Sequence, residues 1–211
     1  MYDKPFFQKL NVISDWIIRL VVINFLVALT FIPVVTIFVS LSAGYNTLYD
    51  FYKGNDANLF KSFYQYLKEN FAKKLMIGLL LILTLLFGLY NISYYNELLK
   101  VNETIFYQAG YYITLFLFIG VIVVFIYLLP VVYTQKNLSL FKSIKLAFYV
   151  AGKHFGRTMI LLFSVLLPLL LLLSQWSSMV FVLAGFSLWL LLVVIVTARV
   201  LHYLSEVIVH D

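Results

Sequence analysis

The sequence predicts an all-α membrane protein whose helices cross the bilayer several times, and three observations carry that prediction. Of 211 residues, 64% are hydrophobic and 11% charged, against about 45–50% and about 25% in an ordinary soluble domain. The apolar residues gather into five blocks of the kind that crosses a hydrocarbon core about 30 Å thick, which takes about 20 helical residues. Lys and Arg concentrate in two of the segments between those blocks. Alternating strands of about ten residues, the mark of a membrane barrel, are absent, and lipid offers free backbone groups no partner, so each block is read as a helix.

The elements follow in order. Lys4 and Lys9 precede an apolar run longer than the 7–15 residues of a cleavable signal, so the first span, residues 16–42, reads as a retained anchor interrupted by Pro33. Its far end carries Ser40, Ala43, Gly44 and Thr47, a small-residue spacing that suits close helix packing. A basic amphipathic stretch then runs to Lys73 and Lys74, followed by spans at residues 75–95 and 107–133, the latter containing Pro130. A second basic stretch through Arg157 leads to spans at residues 158–173, with Pro168, and 179–201. Leu-Phe-Lys-Ser occurs at both Leu59–Ser62 and Leu140–Ser143, each time after a Pro-Val-Val segment. The expected fold is therefore five transmembrane helices, arranged as two similar halves plus a fifth span, with two amphipathic helices in the interface.

Cytoplasmic loops carry the excess of Lys and Arg. Both long loops are basic, while the connection after residue 95 holds only Lys100. Counting spans then puts the N-terminus outside and the C-terminus in the cytoplasm of a bacterial cell. Lys4, Lys9 and Arg19 sit awkwardly in that scheme, unless residues 5–15 lie in the interface. In the first loop Phe60, Phe63, Tyr64, Leu67 and Phe71 recur at helical spacing opposite Lys61, Gln65, Lys68 and Glu69, and in the second Leu140, Phe141, Ile144, Phe148 and Phe155 do the same around Lys142, Lys145 and Lys153. With Lys73, Lys74 and Arg157 these lysines make a basic cytoplasmic surface suited to anionic lipid. The lipid bilayer, rather than nucleic acid, is the expected partner.

Few residues suggest chemistry. Asn24 lies too deep in its span to reach water and is the expected polar interior site, bonded to another helix. Pro33, Pro130 and Pro168 are expected helix kinks. His202, Glu206 and His210 step by four along one face, a spacing that suits zinc in principle but more simply gives a solvated polar face. Asp50, Asp56 and Asn58 do not follow the calcium-loop pattern. No catalytic set, metal cluster or cofactor motif stands out, and the Asp and Glu residues fall at or beyond the span ends.

Ile32-Pro33-Val34-Val35-Thr36, Gly54-Asn55-Asp56 and Lys68-Glu69-Asn70-Phe71 together resemble the YesL-like family of bacterial integral membrane proteins. Its pattern has a Pro-Val-Val-Thr segment closing the first helix, a Gly-acid turn, and a Phe-Lys-x-Asn-Phe segment opening the second. Here Leu67 replaces the first Phe of that last motif, and Phe38 stands where a Gly is common. The family has no settled activity, and its members often accompany sugar ABC importers in Gram-positive bacteria. The resemblance implies a non-enzymatic accessory protein that associates with importer subunits or with itself. The alternative is a small transporter whose two halves enclose a path.

Overall fold

The computed structural model describes residues 5–55 and 57–207. Among them every regular element is helical: α1 (Pro5–Thr30), α2 (Ile37–Tyr52), α3 (Leu59–Lys68), α4 (Phe71–Val101), α5 (Ile105–Thr134), α6 (Leu140–Lys153), α7 (Phe155–Ser164), α8 (Leu166–Leu171) and α9 (Gln175–Val207), with a 3₁₀ turn at Val34–Thr36. Four stretches are long and apolar enough to cross a membrane: Gln8–Thr30, Phe71–Val101, Ile105–Thr134 and Gln175–Leu201. A bent pair, α6 with α7 and α8, makes a fifth candidate.

The first apolar run is not one kinked helix over residues 16–42. Pro33 has no N–H to give a helix and disfavours helical backbone at Ile32, so α1 stops at Thr30 and Pro33 is extended, at φ −75° and ψ 107°. The chain then turns back on itself. Thr36 lies against Thr30, a Cβ on Gly44 would sit 2.8 Å from Val27 Cγ2, and the Arg19 guanidinium stacks 4.5 Å from the centre of the Phe51 ring. Contacts that pair 30 with 36, 27 with 44 and 19 with 51 define an antiparallel hairpin. Its tip is Phe31–Thr36, and both its other ends point the same way. The apolar pattern hides this reversal because the tip is as apolar as the helices it joins.

α2 is the centre of the bundle. Twelve of its sixteen residues are buried, and it packs against α1, α3, α4, α5 and α9. Gly44 lets α1 and α9 close on it, since an added Cβ there would also lie 2.9 Å from Leu190 Cδ1. The α4–α5 hairpin leans on this core at one end only. α5 buries Ile126–Val132 while the Tyr-rich far end, including Tyr90, Tyr94 and Tyr112, is exposed, as an aromatic belt at a bilayer surface would be.

The prolines act differently from one another. Pro33 makes the hairpin, whereas Pro130 sits inside the unbroken α5. Pro168 acts one turn back. Its ring cannot coexist with a helical carbonyl at Ser164, which is where α7 ends before α8 restarts at Leu166. The two Pro-Val-Val segments therefore occupy different structural places, a tip and a helix interior. The two Leu-Phe-Lys-Ser copies do match, as each forms the first turn of its helix, α3 after Asn58 and α6 after Ser139.

Thr36 closes the hairpin tip chemically. Its hydroxyl lies 2.6 Å from the carbonyl oxygens of both Thr30 and Pro33. Thr36→Val keeps the shape and the backbone N–H bond to Pro33 but removes the hydroxyl donor from the Thr30 carbonyl, at a cost of about 1–3 kcal/mol. We expect it to lower thermal stability in detergent, with Thr36→Ser near wild type; equal melting of Thr36→Val and wild type would contradict the role assigned to the hydroxyl.

Candidate functional site

Two polar centres stand out in a bundle that is otherwise apolar. The first is Asn24, which α1 carries into contact with α9. It is 2% exposed. Its amide nitrogen donates to the Val182 carbonyl at 2.8 Å, and its amide oxygen accepts from the backbone N–H groups of Phe186 at 2.9 Å and Ser187 at 3.3 Å. Val182 and Phe186 are partners in one rung of an α-helical ladder, so the Asn24 amide is spliced across that rung and locks the two helices in register. Phe31 stacks on Phe186 beside it, with ring centroids 5.4 Å apart.

The second centre lies where α2, α3 and α5 meet. Asp50 accepts from the Tyr66 hydroxyl at 2.5 Å on one oxygen and from Tyr133 at 2.9 Å on the other. Tyr133 also packs edge-on against Tyr49, with centroids 4.9 Å apart. Burial, and then the Asp50 carboxylate it serves, push the Tyr66 phenol well above its usual range, so it remains a donor at physiological pH. Next to it Lys74 donates to the Tyr66 carbonyl at 2.6 Å, and Glu69 pairs with Lys136 at 2.6 Å. Asn70 bonds the Lys136 carbonyl at 3.2 Å. Sequence reasoning missed this knot because Asp50 falls at the end of a block and its tyrosine partners are 16 and 83 residues away.

The residues named from sequence separate clearly. Lys61, Lys68, Lys142, Lys145 and Lys153 are exposed, and Lys73 and Arg157 partly so. Lys74 is the correction: at 1% exposure it is interior rather than surface, because its ammonium serves the carbonyl of Tyr66 near the end of α3. The motif residues shape the chain. Gly54 at φ +84° ends α2, and Asn70 at φ +51° makes the joint between α3 and α4, both in the left-handed region that favours Gly and Asn. Lys68 lies 4.3 Å over the Tyr64 ring, and Phe71 starts α4 with its ring partly exposed. Asp56, His210 and the side chains of His202 and Glu206 lie outside what the structure describes, and among the described residues no His, Asp and Glu cluster has a metal-binding arrangement.

Three further side-chain pairs join helix to helix, while buried Ser40, Thr47, Ser143 and Ser187 each donate to a carbonyl three or four residues back. Tyr45 meets Thr197 at 2.7 Å, Tyr127 meets Thr158 at 3.0 Å, and Trp189 donates to Ser164 at 3.2 Å. Thr84, Asn91 and Thr114, which line a groove of about 410 Å³ between α4 and α5, each donate to a carbonyl of their own helix. Two atoms differ. Ser42 Oγ and Asn46 Oδ1, one turn apart on α2, are buried with no hydrogen-bond partner.

Fold and interior together define an all-helical protein of the multi-pass membrane class. Residues 20–92 match the model of a family described as "Protein of unknown function, DUF624". No curated protein and no solved structure matches the chain.

The two asparagines respond oppositely to substitution. Asn24→Leu strands α9 backbone groups and should cost about 1–3 kcal/mol, whereas Asn46→Leu removes an unpaired buried oxygen and should be neutral or stabilising. Thermal unfolding in detergent checks both, and similar losses for the two would show that side-chain volume, not hydrogen bonding, governs these sites.

Proposed function

We propose that the chain is a non-enzymatic accessory subunit of the bacterial plasma membrane, of the YesL-like kind, that packs against a binding-protein-dependent sugar importer and does not itself conduct substrate. The observation that supports this reading is the use of the interior polar groups. Asn24, Tyr45, Tyr127, Thr158, Ser164 and Trp189 are spent on joining helices, and a sugar path needs such groups turned toward a hydrated route. The second groove, about 250 Å³ between α2, α4, α5 and α9, is lined by apolar side chains and Trp189. The motif residues Pro33, Thr36, Gly54 and Asn70 set backbone turns, a structural office that fits a scaffold better than a catalyst.

The hairpin also bears on orientation. Counting residues 16–42 as one crossing puts the N-terminus outside. With α1 and α2 antiparallel, the start of α1 shares an end of the bundle with α3. Lys9 and Arg19 then join the basic loops, and the conflict with the positive-inside tendency disappears. Our reading places both termini on the cytoplasmic side.

The chain has no cysteine, so single cysteines report side directly. In intact cells an impermeant maleimide should label Asn102→Cys, and should reach Lys9→Cys and Asn137→Cys only after permeabilisation. Labelling of Lys9→Cys from outside would restore the outward N-terminus.

For function, importer subunits should co-purify in mild detergent from native membranes, and the protein alone in liposomes should pass no labelled sugar. Sugar flux that Asn46→Leu abolishes would replace this reading with a transporter.

A further inference from the structure

α6 meets α7 and α8 at a bend of 105°. With α7 and α8 directed along the bilayer normal, α6 lies close to the bilayer plane, and what it exposes there meets the interface. At roughly 100° per residue the surface of α6 divides into three sectors. Ser143, Ala147 and Val150 form the buried one, turned to α5, with which α6 makes its most extensive contact. Phe141 and Phe148 lie on one flank, 83% and 70% exposed. Lys142 lies on the other, with Lys145 between the flanks and both exposed.

α3 repeats this order in the same rotational sense. Phe63 is buried, Phe60 and Tyr64 are exposed on the next flank, and Lys61 and Lys68 follow. The matching first turns, Leu59–Ser62 and Leu140–Ser143, give both helices the same handed arrangement of protein face, aromatic face and basic face. An exposed phenylalanine has no reason to sit beside a lysine in water, but an interfacial helix needs both: rings in the acyl boundary and ammonium groups at the level of the phosphates. Charge selects the occupant, since α3 and α6 expose Lys61, Lys68, Lys142 and Lys145 and carry no carboxylate.

We propose that α3 and α6 form an interfacial collar whose lysines Lys61, Lys142 and Lys145 bind the phosphate headgroups of anionic phospholipid, with Phe60, Phe141 and Phe148 seated in the acyl boundary below them. The collar is independent of the importer reading and holds whether or not a partner subunit is found.

The test uses the full chain in bilayers of phosphatidylcholine with and without phosphatidylglycerol. A nitroxide at Phe148→Cys should be more accessible to oxygen than to a water-soluble nickel complex, and one at Lys142→Cys the reverse. Mass spectrometry of lipid retained after purification should show phosphatidylglycerol enriched over its share of the bilayer, falling about fivefold for each lysine removed. Lys61→Gln/Lys142→Gln/Lys145→Gln should abolish the enrichment with an unchanged melting temperature in zwitterionic detergent. Equal retention of both lipids by the wild type, enrichment surviving in the triple variant, or a nitroxide at 148 open mainly to nickel would each overturn the collar. Loss of a bound protein from the triple variant with lipid enrichment intact would do the same, assigning the face to a protein partner instead.

Discussion

A helix that ends releases backbone groups that need new partners, and this chain meets that constraint at the apolar reversal between α1 and α2. Pro33 makes the stop. Thr36 makes it tolerable, because one hydroxyl reaches the last carbonyl of α1 and the carbonyl of the proline itself. With the tip closed, α2 can lie against α1 as a second helix instead of extending it. The central position of α2 and the packing of α3, α4, α5 and α9 around it follow from that one reversal.

Hydrogen bonds then choose which helix lies beside which. Apolar side chains slide past one another in lipid at little cost, since lipid is as apolar as they are. Specific polar pairs remove that freedom. Asn24 pins α1 to α9, Tyr45 pins α2 to α9, Tyr127 pins α5 to α7, and Asp50 gathers α2, α3 and α5. Each such contact is worth only about 0.6–2 kcal/mol, yet each also fixes a register. The bundle is therefore specified by a handful of polar residues spread across an apolar majority.

Much of this was legible in the sequence, and the gaps have physical causes. Composition shows the helical membrane class, and the Leu-Phe-Lys-Ser copies show two helices that begin alike, because amphipathic periodicity in a short basic segment has little else to encode. Asn24 stands out through its depth in an apolar run. The reversal at Pro33 is invisible because its tip, Phe31–Thr36, is as apolar as the helices it joins, so the usual polar punctuation is missing. Lys74 reads as surface because a lysine at a span edge normally snorkels, and here a carbonyl on α3 captures it. Asp50 has no local signature at all, since a knot tied between distant elements exists only once the bundle has formed.

The composition of α2 has a consequence for how the protein is made. Ser40, Ser42, Asn46, Thr47 and Asp50 give this helix a polar content that a lone segment would pay for in lipid, and at 16 residues it is shorter than the helices long enough to cross a membrane. Part of its polar relief, Thr197 for Tyr45, and the anchoring of its hairpin partner through Asn24 both come from α9, which follows the other described helices in the chain. The α1–α2 hairpin therefore gains these contacts only after the helices between α2 and α9 have been translated. Docking of α9 then closes the packing around α2, and a chain that stalls before α9 leaves the Asn24 amide and the Tyr45 hydroxyl without these partners.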